Sequence, residues 1–187
     1  MKTPLIVLAL IAASAAVASA DPVDPLDAAP TVSVGSFAYT IDGYLSSTPA
    51  ILSGLDAAYD HALTGDYGLR FRAGAILVGV DEITGVAPHA EAGAFRRLQL
   101  GPRLALDAAL LAGYHFGGLD HKQEWEDHAG PTAVAELALY LAVTDHLQAA
   151  VGGGYRLAWT ADEHVTSDES DPFSSGPLLR MNLGWSF

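Results

Sequence analysis

The segment YGLRFRAGAILVG, residues 67–79, decides the fold because its apolar residues recur at every second position. One face carries the apolar side chains Tyr67, Leu69, Phe71, Ala73, Ala75 and Leu77, and the other carries Gly68, Arg70, Arg72 and Gly74. A period of two is the repeat of a β-strand, whose successive side chains point to opposite faces. The segment therefore predicts a strand with one apolar face and one face of arginine and glycine.

The same alternation recurs along the chain and predicts eight strands. It is strong in residues 103–116, 148–160 and 178–187, and weaker in residues 33–43, 50–61, 88–100 and 132–143. Residues 132–143 could also form a helix by propensity, but every odd position there is apolar, which favours a strand. Segments of this length match the roughly 9–11 residues that a tilted strand needs to cross a bilayer.

The connections between these segments alternate between short and long. Tight turns are expected at residues 64–66, 100–102 and 144–146, and longer polar loops at 44–49, 80–87, 117–131 and 161–177. Short turns at one end and long loops at the other are typical of outer-membrane barrels. We therefore predict an all-β domain over residues 31–187, an eight-stranded antiparallel up-and-down transmembrane β-barrel with both termini at the short-turn end.

The first thirty residues are expected to lie outside the barrel. Residues 1–20 combine Lys2, an apolar run and the cleavage pattern Ala18-Ser19-Ala20, which together indicate a secretory signal peptide. An uncleaved anchor would need about 20 apolar residues, and this run is shorter. Residues 21–30 hold three prolines and three aspartates, which predict an extended lead-in.

The charged side chains of the predicted strands share one face. Under the period-two parity this face collects Asp56, Asp60, Arg70, Arg72, Glu91, Arg97, Arg103, Asp107, Glu136, Arg156 and Arg180. Cations and anions nearly balance there although the whole chain has a formal net charge of −13. A narrow lumen requires such balance, because a buried charge is costly without a partner, whereas a water-facing surface does not. We predict a lumenal charge network of Arg70, Arg72, Glu91, Arg97, Asp107, Glu136, Arg156 and Arg180, with inward glycines leaving room for the arginines. A soluble lipocalin-like barrel, with its apolar face inward, is the alternative.

The opposite face is almost uncharged and carries aromatic residues near the strand ends. They are Tyr39, Tyr59, Tyr67, Tyr114, Tyr155, Trp159, Trp185 and Phe187, with Phe37 and Ile41 on the same side of the first strand. Aromatic girdles at the two membrane interfaces have this placement. Arg96 disagrees, because a strict register points it toward lipid. Either Arg96 snorkels to the interface or a bulge at Phe95–Arg96 shifts the parity.

The last residues, NLGWSF at 182–187, resemble the C-terminal strand of small outer-membrane barrels of the outer-membrane protein A and X family. That family ends in a Gly-aromatic-x-Phe pattern, although Ser186 stands where a basic residue is common. The resemblance implies a location in the bacterial outer membrane, with export by the signal peptide. It also implies that the barrel-insertion machinery reads Leu183, Trp185 and Phe187 as an assembly signal, and that outer-membrane lipids and lipopolysaccharide surround the protein.

Composition limits the partners. A polyanion repels nucleic acid, and the absence of cysteine means that no disulfide can form. The predicted long loops hold most of the excess acid: Asp81, Glu82, Asp120, Glu124, Glu126, Asp127, Asp162, Glu163, Asp168, Glu169 and Asp171. They could bind divalent cations, or they could simply be solvated. His115, Asp120, His121, His128 and His164 are metal-ligand types, but their spacing fixes no common face, so no metal or other cofactor is expected.

A structural or surface-interacting monomer is the expected role. Some eight-stranded barrels hydrolyse or transfer lipid A acyl chains, which requires a serine and a histidine near the outer rim. His89 and His115 lie near predicted outer strand ends, but no serine has the context of a nucleophile. An open pore is not expected either, because side chains fill the interior of an eight-stranded barrel.

Overall fold

A computed structural model describes residues 30–41, 50–64, 66–80, 83–116, 118–121, 124–127, 129–159 and 173–187. These residues form ten strands, of which β6 and β7 are only four residues long. The strands are β1 (Thr31–Ile41), β2 (Ala50–Thr64), β3 (Tyr67–Val80), β4 (Ile83–Gly101), β5 (Leu104–His115), β6 (Gly118–His121), β7 (Glu124–Asp127), β8 (Gly130–Ala142), β9 (Leu147–Trp159) and β10 (Phe173–Ser186). The signal peptide, the lead-in up to residue 29 and loops 44–49 and 161–172 lie outside the described residues.

The eight long strands close into a barrel. Each pairs antiparallel with the long strand before and after it, and β1 pairs with β10 to complete the ring. The short β6–β7 hairpin pairs with the beginning of β4, where Ile83 lies opposite His121. Closure removes the exposed edges that an open sheet would leave. The predicted eight-stranded antiparallel up-and-down barrel is confirmed.

Among the residues that the structure describes, no helix has the length and apolar character that a membrane crossing would take.

Three strands are longer than the sequence predicts. β3 ends at Val80 and β4 begins at Ile83, so most of the predicted loop 80–87 is strand. Pairing continues through this segment, and Gly85 lies opposite Val78 in the ladder although glycine weakens a strand. β10 likewise begins at Phe173 instead of residue 178. Hydrogen bonding to a neighbouring strand outweighs local propensity at these positions.

The register is unbroken around Arg96. Tyr67 pairs with Arg96 and Arg96 with Ala108, while the irregularities in this part of the sheet fall near turns, between Ala62 and Thr64 and between Gln99 and Gly101. The alternative of a bulge at Phe95–Arg96 is therefore wrong. Arg96 points outward as the strict register requires, and its guanidinium lies 5.5 Å from the centre of the Tyr67 ring.

The first strand corrects one prediction. Phe37 and Tyr39 were expected on the lipid side, but they point inward and are only 3% and 6% exposed. Val32 and Val34 take the outward positions. Apolar residues occupy both faces of this strand, and it holds no charged residue that would distinguish inside from outside. The side chain of Ile41 lies outside the described residues.

Candidate functional site in the barrel lumen

Among the described residues, the centre of the barrel holds ten buried arginine, aspartate and glutamate side chains, five basic and five acidic. This lumenal charge network consists of Asp56, Asp60, Arg70, Arg72, Glu91, Arg97, Asp107, Glu136, Arg156 and Arg180. Each of the ten takes part in an ion pair within the network. All eight residues named from the sequence are among them, and Asp56 and Asp60 complete the set. The interior is thus formally neutral although the chain is strongly acidic.

Arg70 is the hub of this network and is 1% exposed. Its Nε and Nη2 donate to the two oxygens of Asp60 at 2.7 and 2.8 Å. The same guanidinium donates to Asp107 at 2.9 Å, Glu136 at 3.1 Å and the Tyr140 hydroxyl at 2.8 Å. These partners come from β2, β5 and β8, so one side chain on β3 joins strands on both sides of the lumen.

Two further arginines, Arg97 and Arg72, extend the network in both directions along the barrel. Arg97 holds Asp107 through two hydrogen bonds of 2.6 and 2.8 Å. Arg72 donates to Glu136 at 2.8 Å and to Glu91 at 3.3 Å. Paired hydrogen bonds between guanidinium and carboxylate are among the strong ones in proteins, because both groups are charged and planar.

Arg180 and Arg156 are the last two arginines of the network. Arg180 on β10 donates to Asp56 on β2, and its Nε lies 3.3 Å from Glu136. Arg156 lies 3.4 Å from Glu91. Arg103, which the sequence analysis placed on the same face, is only half-buried beside the turn at residues 101–103 and lies 3.5 Å from the Val143 carbonyl.

Aromatic rings pack against the guanidinium groups of four of these arginines. Phe95 and Tyr140 lie beneath the guanidinium groups of Arg70 and Arg97, at 4.7–5.6 Å from ring centre to carbon. At the other side of the lumen, Arg180 lies over Phe37 at 5.0 Å and Arg156 over Tyr39 at 5.3 Å. A cation over a ring face is attracted to the ring electrons, and the attraction grows when water is excluded. Sequence reasoning missed these rings because it assigned every aromatic residue to the outer wall or to no face.

Glycines make room for the charged groups, as the sequence suggested. A Cβ atom added to Gly154 would lie 3.0 Å from the Cβ of Glu136, and one added to Gly113 would lie 2.8 Å from the Cγ of Glu91. Each added Cβ would come closer still to a backbone carbonyl oxygen, that of Ala135 at 2.2 Å or of Ala90 at 2.0 Å, so a larger residue would displace the neighbouring strand together with its glutamate. The glycines are therefore part of the geometry of the network.

A layer of buried apolar residues lies next to the network on one side of it. It consists of Phe37, Tyr39, Leu52, Ile76, Ala87, Leu111, Val134 and Leu178. Every one of these residues lies in the half of its strand that is farther from the end carrying the chain termini. Pro30 and Phe187, the first and last described residues, thus mark one end of the barrel, the terminal end, and the apolar layer lies toward the opposite end, the loop end.

Several buried polar atoms beside this layer have no hydrogen-bond partner among the described residues. They include both ring nitrogens of His89, the hydroxyl of Thr132 and Nε of Arg156. His89 is 3% exposed and its ring packs edge-on to Phe37 at 5.4 Å. His115, the cross-strand neighbour of His89, is also buried. The structure thus places both histidines inside the barrel and not on its rim.

Of the five residues of metal-ligand type considered from the sequence, His115 alone has a described side chain. His115 faces the lumen, Asp120 and His121 belong to β6 with side chains outside the described part, and His128 and His164 are not described. Within the described ranges, no group of three histidine, aspartate or glutamate side chains could hold a metal ion.

The residues of the C-terminal pattern line the outer wall at the terminal end. Leu183, Trp185 and Phe187 are 53%, 49% and 72% exposed. Trp185 stacks on His146 of the neighbouring turn at 5.7 Å, and the Phe187 amide donates to the Pro30 carbonyl at 3.2 Å. The backbone at this end is held in place while the three large side chains remain available on the surface.

No protein-family model and no curated protein matches the sequence. Solved structures match the fold. Neisserial surface protein A superposes with a TM-score of 0.65 at 11% identity, covering 84% of this chain and 97% of that one. Ail, the attachment invasion locus protein of Yersinia pestis, gives 0.56 at 13% identity over 85% and 99% of the two chains.

The N-terminal β-barrel domain of Pseudomonas aeruginosa OprF gives a TM-score of 0.53 at 13% identity, covering 84% of this chain and 97% of that domain. These proteins are small outer-membrane β-barrels. The chain therefore has the fold of small outer-membrane barrels, as the resemblance of its last strand implied.

Proposed function

We propose that the chain is an integral protein of the bacterial outer membrane, with a structural or surface-interacting role and a sealed lumen. The observation that carries this proposal is the direction of the side chains. Large apolar residues such as Leu110, Leu179 and Val34 are 70%, 58% and 62% exposed on the outer wall, whereas Arg70 and Asp107 are 1% and 0% exposed inside. Only a hydrocarbon solvent favours this arrangement over its reverse.

The same observation argues against a soluble lipocalin-like barrel. Such a barrel places apolar side chains inside to hold an apolar ligand and polar ones toward water. Here Leu139 and Leu157 point outward while Glu136 and Arg156, on the same strands, point inward. A protein with this wall would aggregate in water, because soluble proteins rarely expose a contiguous apolar patch larger than a few hundred Å².

A closed lumen supports a role other than conduction. Ion pairs fill its middle, and Phe37, Leu52 and Ile76 belong to the apolar layer that lies toward the loop end. We expect the purified protein to show little or no conductance in planar bilayers. The same preparation should migrate faster on SDS gels without boiling than after boiling, because the closed barrel resists detergent. Stable, large single-channel steps would contradict a sealed lumen, and identical mobility before and after boiling would contradict a closed barrel.

Surface interaction is the part of the role that involves the acidic loops. Asp81 and Glu82 connect β3 to β4, and five further acids lie in residues 161–172 between β9 and β10. Both connections leave the barrel at the loop end, which in this proposal faces the cell exterior. One solved structure of Ail holds a heparin analogue, sucrose octasulfate. The acidic loops of this chain would repel such a polyanion and favour divalent cations or basic surfaces.

A lipid A-modifying enzyme is not the function that this geometry favours. The histidines considered for that chemistry, His89 and His115, lie inside the barrel, and His89 contacts Phe37 there. Lipid A recovered after incubation with the purified protein should keep its full set of acyl chains by mass spectrometry. Loss or transfer of an acyl chain would favour the enzyme.

Assembly through the terminal pattern leads to a separate prediction. Removing the Phe187 side chain in a Phe187→Ala variant should change the stability of the refolded barrel about as much as Phe116→Ala does, since both side chains are exposed near a strand end, by 72% and 52%. In cells the same variant should accumulate less in the outer membrane, because the insertion machinery would no longer read the last aromatic residue. Quantitative blots of membrane fractions measure this, with Phe116→Ala, a loop-end phenylalanine 52% exposed, as the matched control. Equal losses for the two variants would argue against an assembly signal at the C-terminus.

A further inference from the structure

The outer wall carries one cation that the lumenal charge network does not explain. Among the strand residues whose side chains the structure describes, Arg96 is the only lysine, arginine, aspartate or glutamate that is exposed on the wall. Its guanidinium contacts the Tyr67 ring at 5.5 Å, and it makes no ion pair with any described residue. A cation on the lipid side destabilises a barrel to an extent that depends on its depth, so Arg96 requires either water or an anion.

Arg96 lies at one end of a groove. The groove has a volume of about 600 Å³ and is formed by two adjacent rows of the hydrogen-bond ladder. The first row runs across the wall from Tyr67 through Arg96, Ala108 and Leu137 to Gly153. The second row contains Ala94, Leu110, Ala135 and Tyr155. Alanines and glycine form the floor, and Leu110, Leu137 and Tyr155 stand out as walls, exposed by 47–70%.

The groove also has a direction. Tyr67 is the first residue of β3, at the terminal end, whereas Gly153 lies in the middle of β9. Because the strands of a barrel are tilted, a row of hydrogen bonds climbs as it crosses them. Arg96 therefore lies close to the terminal rim, and the apolar part of the groove leads from there to the middle of the wall.

We propose that this groove binds a phospholipid of the periplasmic leaflet, with its phosphate on Arg96 and an acyl chain along the floor. This proposal rests on the proposed function, which places the terminal end at the periplasm. The guanidinium matches a phosphate through two parallel hydrogen bonds. The apolar groove runs from that point toward the bilayer centre, which is the course of an acyl chain. Tyr67 holds the guanidinium from below, so the cation is positioned before the lipid binds.

Native mass spectrometry of the folded protein in detergent tests this site, with phosphatidylglycerol as the probe and diacylglycerol of the same chains as the comparison. The wild type should retain phosphatidylglycerol adducts and release diacylglycerol. Arg96→Gln removes the charge-assisted contact and should weaken the apparent Kd for phosphatidylglycerol roughly tenfold. Ala108→Trp fills the floor while keeping the cation and should weaken it similarly. Ala133→Trp, on the outer wall but outside the groove, is the matched control and should bind as the wild type does.

Two results would overturn the site. Equal phosphatidylglycerol binding by all four proteins would mean that lipid contacts the wall without choosing this groove. A dimer mass that Arg96→Gln and Ala108→Trp abolish, without lipid adducts, would mean that a second copy of the chain occupies the groove. Insertion into lipid vesicles is measured in parallel for every variant. A barrel that inserts but shows no preference disproves only the lipid site, whereas a wild-type chain that does not insert disproves the membrane role itself.

Discussion

Replacing Arg70 by methionine is expected to reduce the free energy of unfolding by about 3–5 kcal/mol, the range measured when one partner of a buried ion pair is removed. Methionine keeps most of the side-chain volume but leaves the Asp60 carboxylate without its two hydrogen bonds. Asp107 and Glu136 each lose one further partner. The interior would then hold four basic groups against five acidic ones, all of them buried. Urea titration of the barrel in detergent or vesicles, followed by tryptophan fluorescence, measures the change.

Two further variants separate charge from packing in this experiment. Arg96→Met makes the same substitution on the outer wall, where the Tyr67 ring is the contact found among the described residues, and should cost about 1 kcal/mol or less. The double variant Arg70→Met/Asp60→Asn restores equal numbers of cations and anions. It should recover a measurable part of the loss, giving a coupling free energy between the two positions. If the Arg70 and Arg96 variants lost equal stability, the network would not be the main stabilising feature of the lumen.

Arginine at the middle of the outer wall should be the second most damaging change. Leu179 lies near the middle of β10 and is 58% exposed, so Leu179→Arg places a guanidinium in the hydrocarbon region. The expected loss is about 2–4 kcal/mol, against about 0–1 kcal/mol for the same substitution near an interface. Leu98 provides that comparison, because it is 49% exposed and lies three residues before the end of β4.

The contrast between these leucines depends on the solvent around the wall. Both variants are refolded into lipid vesicles and titrated with urea, and the difference between their free energies of unfolding is the readout. In water, an exposed leucine replaced by arginine changes stability little at either position. Equal, small effects at Leu179 and Leu98 would therefore count against the membrane and in favour of a soluble barrel.

The charged residues were the ones whose face, lumenal or lipid-facing, could be predicted from the sequence. Arg70, Glu136 and Arg180 alternate with large apolar neighbours, and a charge has only one tolerable side in a membrane barrel. Their period of two therefore fixed both the strand and its orientation. The specific partners could not be predicted, because Arg70 meets Glu136 across 66 residues of sequence and through the curvature of the closed sheet.

Apolar residues carried less information, since they are stable on the lipid side and also inside a packed lumen. Phe37 and Tyr39 were misassigned for this reason, and the apolar layer that they form with Leu52 and Ile76 was not anticipated. The groove next to Arg96 depends on register between four strands, which periodicity within one strand does not specify. The aromatic rings beneath the arginines were missed because aromatic side chains, like aliphatic ones, are stable on either face of the wall.

The pair formed by Arg180 and Asp56 has a mechanical consequence for the closed ring. These residues belong to β10 and β2, which flank β1, so their ion pair spans the seam where the first strand meets the last. Arg70 reaches from β3 to β8 in the same interior. Peeling one strand away would expose both bridges to the lipid at once. The barrel is therefore expected to unfold cooperatively, in a single step and not strand by strand.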